Sequence, residues 1–274
     1  MSIKRIHRTI PFLILLLLSS WTAAATEPLH LATWNIRILS DNSRDDGELQ
    51  EIAAILARYD LIVIQEARDT VVLDRLTELL PGYTYTASPP AGRGVKELYC
   101  FFYREDRAEL LEPPALLADP EDLFIREPFI GRFRSGEADF TLVTIHSIYG
   151  DSVRQRRAEA ALLDDVVRLI EEASGEERDI WLLGDFNLPG DDKAWEMAPR
   201  IPLVPSDMKT TISDRSSYDN IWYDPDASPE LRIETLRVYP FDELLFGNDD
   251  RTASRRVSDH RPVSLLVDTT SDDD

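Results

Sequence analysis

The chain has 274 residues, 43% of them hydrophobic, enough to bury a sizeable core, so disorder is excluded as its main state. Lys and Arg number 30 against 51 Asp and Glu, and the formal charge of -21 argues against coating nucleic acid with a generally basic surface; a phosphate-bearing substrate has to be met by a local site. The single cysteine, Cys100, excludes an internal disulfide framework and thiolate-rich zinc or iron–sulfur centres, and with only four His each one beyond the leader carries weight.

Residues 1–25 read as a signal peptide. Lys4, Arg5 and Arg8 form a basic start, residues 11–18 an apolar stretch, and Ala23, Ala24 and Ala25 a small-residue cleavage site. The apolar stretch is shorter than the roughly 20 residues a bilayer span requires. The expectation is a secreted or periplasmic protein whose mature chain has no membrane span, with a folded domain at 26–268 and an acidic tail at 269–274.

Beyond the leader, strands and helices alternate without repeats or a low-complexity linker, which predicts one α/β domain. Strands are predicted at 29–38, 60–67, 97–104, 140–147, 180–186, 218–222 and 261–267, each rich in β-branched, aromatic or alternating apolar residues. Helical spacing holds for Leu49, Ile52, Ala53 and Leu56, for Leu73, Leu76 and Leu80 before the stop at Pro81-Gly82, and for Leu162, Val166, Leu169 and Ile170. Residues 189–217 are predicted to be mostly loop. In the third strand Leu98, Cys100 and Phe102 share one face, so the thiol is expected to be buried and structural.

The chemistry concentrates where polar residues stand at the ends of apolar strands, because such ends deliver side chains into a shared, rigid rim. Seven ends qualify: Asn35, Gln65-Glu66, Lys96-Glu97, Thr144-Ile145-His146, Gly184-Asp185-Phe186-Asn187, Tyr218-Asp219-Asn220 and Ser258-Asp259-His260. Singly, an Asp after a strand is ordinarily a turn or cap residue, and a His on a strand is ordinarily a packed core imidazole. There is no Gly-rich phosphate loop, no H-E-x-x-H and no G-x-S-x-G, so the usual support for NTPases, zinc proteases and serine hydrolases is missing.

In this order the segments resemble the endonuclease/exonuclease/phosphatase superfamily, and within it the deoxyribonuclease I-like branch. The superfamily pattern of a first-strand Asn, a Q-E, a T-x-H, a G-D-F-N and a terminal S-D-H falls on Asn35, Gln65-Glu66, Thr144 to His146, Gly184 to Asn187 and Ser258 to His260. The branch is suggested by Gln65-Glu66-Ala67-Arg68-Asp69, Lys96-Glu97-Leu98-Tyr99, Arg126-Glu127-Pro128 and Tyr218-Asp219-Asn220-Ile221. The resemblance implies a four-layer α/β/β/α sandwich, two packed mixed β-sheets flanked by helices. It also implies a metal-dependent endonuclease that cuts DNA to oligonucleotides with 5′-phosphates. Nucleic acid is then the expected partner, and no stable protein partner is implied. Two alternatives stay open: a phosphodiesterase or phosphatase acting on a lipid or inositol phosphate head group, as a sphingomyelinase does, and a non-catalytic binding module of the same fold.

Phosphodiester hydrolysis needs an in-line water, charge relief on the phosphate oxygens and a proton for the leaving alkoxide. Hard oxygen donors suit Mg²⁺ or Mn²⁺. By resemblance Glu66 and Asp259 would hold the metal, with Asn35, Asp185 and Asn187 completing the metal and phosphate environment. His146 and His260 remain for proton traffic, and near a pKa of about 6.5 either can be base or acid. The reading adopted gives His260 the water and His146 the leaving group, with Glu97 and Asp219 as the carboxylates that orient them. Substrate contacts are expected from Arg68, Arg126, Asn187 and Tyr218, although Arg68 could instead pair with Asp69 or Glu66. A denser run of Arg126, Arg132, Arg134, Arg154, Arg156 and Arg157 reads as a basic patch, its 154–157 portion opening a solvated helix. A structural calcium loop is echoed only in part by Asp207, Thr210 and Thr211.

Overall fold

Near-continuous apolar strands such as Leu61–Ala67 are buried on both faces, which requires a layer of structure on each side. The computed structural model describes residues 27–272 apart from Val95 and Glu176, so the predicted leader and the last two residues of the predicted acidic tail lie outside the described residues. In chain order the elements are β1 (Leu29–Leu39), α1 (Asp46–Leu56), β2 (Leu61–Ala67), α2 (Thr70–Leu79), β3 (Tyr83–Ala87), β4 (Leu98–Arg104), β5 (Glu109–Leu110), β6 (Ala115–Leu116), β7 (Phe129–Ser135) and β8 (Ala138–His146). They continue with α3 (Val153–Ala160), α4 (Leu163–Ser174), β9 (Ile180–Asp185), β10 (Ile201–Pro202), β11 (Asp219–Tyr223), β12 (Leu231–Val238), α5 (Phe241–Phe246), α6 (Asp250–Arg256) and β13 (Val263–Val267).

Two mixed sheets result. One runs β12-β13-β1-β2-β4-β3; the other runs β10-β11-β9-β8-β7-β5, with β6 added on β7. The parallel pairs are β1 with β2 and β8 with β9, and these four strands all end at the same edge of the sandwich. Alternation sorts the strand residues into three apolar layers. Leu31, Val63, Phe101, Phe140, Trp181 and Leu265 fill the space between the sheets. Trp34, Ile62, Cys100 and Phe102 pack outward beneath α1 and α2. Val143, Ile145 and Leu182 pack outward beneath α4. This is the four-layer α/β/β/α sandwich expected, and Cys100 is fully buried on the face shared with Leu98 and Phe102. Burial pushes its thiol pKa up, so it stays protonated and inert. Among the described residues no helix is long and apolar enough to cross a membrane.

Aromatic rings weld the two sheets together: Phe101 lies 5.0 Å from Phe129 and 5.2 Å from Phe133, while Phe140 and Trp181, 4.7 Å apart, stack within the second sheet. Gly131 permits this approach, since a Cβ there would come within 2.7 Å of the Phe101 ring. That glycine, with Arg132 and Arg134 beside it, is also why β7 does not read as a strand in the sequence. Strands β3 and β12 were likewise not predicted; both lie at sheet edges and are only partly buried. The short helices α5 and α6 have too few residues to show a period. Residues 189–217 are irregular as expected, apart from β10 and a bridge between Thr211 and His260. Pro262, which has no N–H to give, starts the last strand at Val263 and not at residue 261.

The basic patch does not form. Arg132 and Arg134 both pair with Asp139, at 3.0 and 3.2 Å, Arg157 pairs with Asp192 at 2.8 Å, and Arg126 turns inward to Glu97 at 3.0 Å. In a chain this acidic, the arginines are consumed by local carboxylates. Nor is the stretch 154–157 uniformly solvated, because Arg156 is buried in α3.

Candidate active site

The site assembles where the parallel strands end. On β1, Asn35 is paired in register with Gln65 of β2, after which both strands bulge and the next paired residues are Leu39 and Ala67. Glu66 occupies the bulge at φ +65°, a left-handed conformation that costs a non-glycine residue about 1–3 kcal/mol and is retained where it aims a side chain. Its carboxylate accepts from Asn35 Nδ2 at 3.2 Å, from the Ile38 N–H at 3.0 Å and from Arg68 at 3.2 Å. In the second sheet, register places His146 of β8 beside Asp185 of β9, and Asp185 beside Asp219 of β11. Three functional side chains thus stand in one row. Gly184 makes the row possible, because a Cβ at this position would sit 2.0 Å from the Ile145 carbonyl oxygen. Ser258 closes the ring by donating to the Asn35 carbonyl at 2.6 Å, which fixes Asp259 and His260 against the end of β1.

Two carboxylate–imidazole pairs face each other across this row. His146 Nδ1 lies 2.7 Å from Glu97 Oε2, and His260 Nδ1 lies 2.8 Å from Asp219 Oδ2. With both Nδ1 atoms engaged, both Nε2 atoms are turned to Asp185 Oδ2, at 3.6 Å and 3.7 Å. Asn35 Nδ2 donates to the same oxygen at 3.0 Å, while Asp185 Oδ1 accepts the Asn187 N–H at 2.9 Å. Burial pushes the His146 imidazole down, but the hydrogen bond to Glu97 and the charges of Asp185 and Glu97 carry it above its ordinary value. Burial acts the same way on His260, and the charges of Asp219 and Asp185 raise it to about 10. For Glu97 burial pushes the carboxyl up, whereas His146, Arg126 and Arg68 bring it below its ordinary value. Asp219 is held above its ordinary value by burial, against the pull of His260.

A cavity of about 630 Å³ opens over the row, and Glu66, His146, Asp185, Asn187, Tyr218, Asp259 and His260 line it. Asn35, Glu97 and Asp219 lie buried behind these residues. Every predicted catalytic and metal residue is therefore gathered at one edge of the sandwich. The predicted substrate residues divide. Asn187 and Tyr218 line the cavity, but Arg68 and Arg126 do not; both converge on Glu97 Oε1, at 3.5 and 3.0 Å, and Arg126 also donates to the His146 carbonyl at 2.9 Å. Arg68 pairs with Glu66 and not with Asp69, whose carboxylate caps α2. Sequence reasoning missed Arg156, Arg215 and Arg251. The last two line the cavity from the 211–216 loop and α6 without entering any ion pair among the described residues.

The donor set suits a hard divalent cation. All the predicted ligands offer oxygen, and Asn35 Oδ1 is buried with no hydrogen-bond partner beside the Glu66 and Asp185 carboxylates, an acceptor that a cation would satisfy. Ligand atoms of Asp185, Asp219 and His260 also lie within 4.8 Å of one another. The partial calcium echo is otherwise occupied: Thr210 Oγ1 accepts the N–H groups of Tyr218 and Asp219, and Thr211 Oγ1 accepts that of Ser216.

Comparison with known proteins agrees with this geometry. A family model described as "Endonuclease/Exonuclease/phosphatase family" matches residues 32–260. A deoxyribonuclease of a Thioalkalivibrio species is 34% identical over 278 residues, covering 93% of this chain and 75% of that protein. Deoxyribonuclease-1 of Equus caballus is 32% identical over 266 residues, covering 87% of this chain and 92% of that one. Among solved structures, the endonuclease/exonuclease/phosphatase protein of Bacteroides vulgatus superposes with a TM-score of 0.60 at 19% identity, over 88% of this chain and 98% of that one.

Proposed function

The chain belongs to the endonuclease/exonuclease/phosphatase family, and from that premise we propose that it is a nuclease of the deoxyribonuclease type, hydrolysing DNA to fragments with 5′-phosphate ends. One observation carries the reading: two imidazoles, each anchored at Nδ1 by a buried carboxylate, point their free nitrogens at one oxygen of Asp185. A single imidazole could take a proton or give one; two facing each other can do both in one turnover. The deoxyribonuclease names of relatives up to 34% identical favour DNA over a lipid or inositol head group.

In its neutral form His260 removes a proton from water at Nε2, while Asp219 holds Nδ1–H and stabilises the imidazolium, the state that Asp219 and Asp185 favour. The water oxygen bonds to phosphorus, the bond from phosphorus to the 3′ oxygen breaks, and His146 gives its Nε2 proton to that oxygen. Glu97 keeps His146 in the required tautomer. Asn35, Glu66, Asp185, Asn187 and Asp259 are the residues that would hold Mg²⁺ or Mn²⁺. Such an ion would relieve charge on the phosphate oxygens. Asn187 is set by its left-handed backbone, φ +52°, and by the hydrogen bond its Nδ2 donates to the Ser147 carbonyl at 2.8 Å, so its position is fixed before substrate arrives. Residues 1–25 would direct the protein out of the cytoplasm.

The test is plasmid nicking by the purified protein with Mg²⁺ or Mn²⁺, run beside RNA and sphingomyelin. Nicking should stop with excess chelator and return with metal, while circular dichroism shows the fold intact. Turnover persisting after exhaustive metal removal would eliminate the metal, and faster hydrolysis of sphingomyelin than of plasmid would eliminate the nuclease.

A further inference from the structure

Helix α3 carries the sequence Arg154-Gln155-Arg156-Arg157, and its third residue is only 9% exposed. The Arg156 side chain donates to the Tyr149 carbonyl at 2.6 Å, to the Asn187 carbonyl at 3.4 Å and to the Tyr218 hydroxyl at 3.4 Å. Its guanidinium also lies 3.8 Å from the centre of the Tyr149 ring. These acceptors are all neutral. Arg156 enters no ion pair among the described residues, although the arginine next to it does: Arg157 binds Asp192. The nearest acid along the helix, Glu159, spends its oxygens on the N–H groups of Ile125 and Ile148. A buried charge is costly unless an opposite charge compensates it. Among the described residues no carboxylate pairs with it, and the three residues that Arg156 touches, Tyr149, Asn187 and Tyr218, all line the cavity.

We propose that Arg156 is a positioning residue whose buried guanidinium supplies the fixed positive charge of the phosphate site, delivered through Tyr218 and Asn187. The proposal rests on the nuclease reading and names the residue that makes one wall of its cavity attractive to an anion. A guanidinium held by neutral partners is not neutralised by them, and at 9% exposure it is little screened by water, so its field acts on a phosphate in the adjoining cavity. The hydrogen bond to the Tyr218 hydroxyl orients the phenol, leaving its proton free to be given to a phosphate oxygen. The contact with the Asn187 carbonyl keeps that amide at the mouth of the row.

The experiment uses the whole protein as native, Arg156→Lys, Arg156→Met and Arg156→Gln forms. Calorimetric titration with inorganic phosphate reads anion affinity independently of turnover, and plasmid cleavage supplies KM and kcat. Met and Gln are expected to weaken phosphate binding about tenfold, as loss of a charge-assisted site does, and to raise KM more than they lower kcat. Lys keeps the charge and should stay within about threefold of native phosphate affinity. Gln retains donors of similar reach, so it decides the matter should the Met form not fold. Unchanged phosphate affinity in the uncharged variants, or a Lys form as weak as the Met form, overturns the assignment. If the native protein leaves plasmid intact, the nuclease reading fails, and the phosphate titration still upholds or overturns the role of Arg156.

Discussion

Replacing Glu97 by Gln tests how the site holds its proton. Glu97 is 3% exposed and serves three cations at once: His146 at 2.7 Å, Arg126 at 3.0 Å and Arg68 at 3.5 Å. Gln keeps the shape and removes the charge. Breaking a buried ion pair from one side costs about 3–5 kcal/mol, and the lower end applies here because both arginine side chains retain 18% exposure and can turn to water. A domain with about 5–15 kcal/mol of stability survives that loss at 25 °C. The effect on turnover should be larger. Without a carboxylate at Nδ1, His146 loses both its fixed tautomer and the main influence that raises its pKa, so a loss of about 10³-fold in kcat/KM is expected, roughly 4 kcal/mol of transition-state stabilisation. The loss should deepen with pH. An acid whose pKa has fallen is deprotonated earlier, and the alkaline limb of the rate profile moves toward lower pH. Urea unfolding measures the first quantity; plasmid and bis(p-nitrophenyl) phosphate hydrolysis between pH 5.5 and 8.5, a range of about three units around the ordinary His value, measure the second. Activity within about threefold of native in a folded protein, or a rate profile with no alkaline shift, would refute this account of Glu97.

Arg126→Ala should slow turnover of a small diester and leave the logarithmic salt dependence of plasmid cleavage nearly unchanged, because Arg126 is turned inward to Glu97 and does not line the cavity. A flatter slope with small-diester turnover untouched would free Arg126 of any duty toward His146. Arg261, 5% exposed, binds Asp242 through two bonds of 2.7 and 2.6 Å and Asp214 through one of 2.7 Å; Arg261→Met strands the buried Asp242 and should cost about 3–5 kcal/mol, lowering Tm by roughly 6–20 °C. A calorimetric fall of less than about 2 °C would contradict that. Burial lowers the pKa of His30 against the opposing charge of Asp60. Below about pH 6.5 the unfolded chain therefore takes up a proton that the folded protein refuses, and stability falls as pH drops through that value. The urea midpoint of His30→Asn should drop less than that of the native protein between pH 7.5 and 5; equal drops would exclude His30 from the acid response.

His146 and Asp185 were legible because each ends an apolar run, and a run buried on both faces can present a polar residue only where it leaves the core; Asn35 lies inside β1, at its last paired position before the bulge. The partners of the two histidines were less visible. Glu97 sits just outside β4 in an isolated bridge with Ala91, and only the family pattern tied it to His146. The direction of Glu66 could not be read, since nothing in the string Gln65-Glu66-Ala67 announces a left-handed residue in a bulge; that conformation depends on the neighbouring strands β1 and β4. Arg156 was obscured by composition. Four charged or polar residues in succession suggest a solvated face, yet the buried positions Arg156, Glu159 and Ala160 follow helical spacing. A charged pair on the inward stripe of a helix was the signal, and averaging over the arginine run erased it.

The same distinction between composition and geometry bears on how an acidic chain could engage DNA. At 4 Å, two unit charges interact by about 4 kcal/mol at an effective dielectric of 20, whereas beyond a Debye length of about 8 Å exposed charges are largely screened at physiological salt. The net charge of -21 therefore governs the approach, while the few groups around the cavity govern the bound state. Those groups are nearly balanced in pairs: Glu97 against His146 and Arg126, Asp219 against His260, Glu66 against Arg68. Arg156, Arg215 and Arg251 stand outside that balance. A phosphate entering the cavity meets Arg215 and Arg251 at short range, beside the carboxylates of Asp185, Asp250 and Asp259, on a protein that repels it at long range. Association should then be slow and accelerate with added salt at low ionic strength, before competition for the phosphate contacts reverses the trend. A rate of plasmid cleavage that only falls as salt is added from near zero would show that distant acidic groups exert no control over encounter.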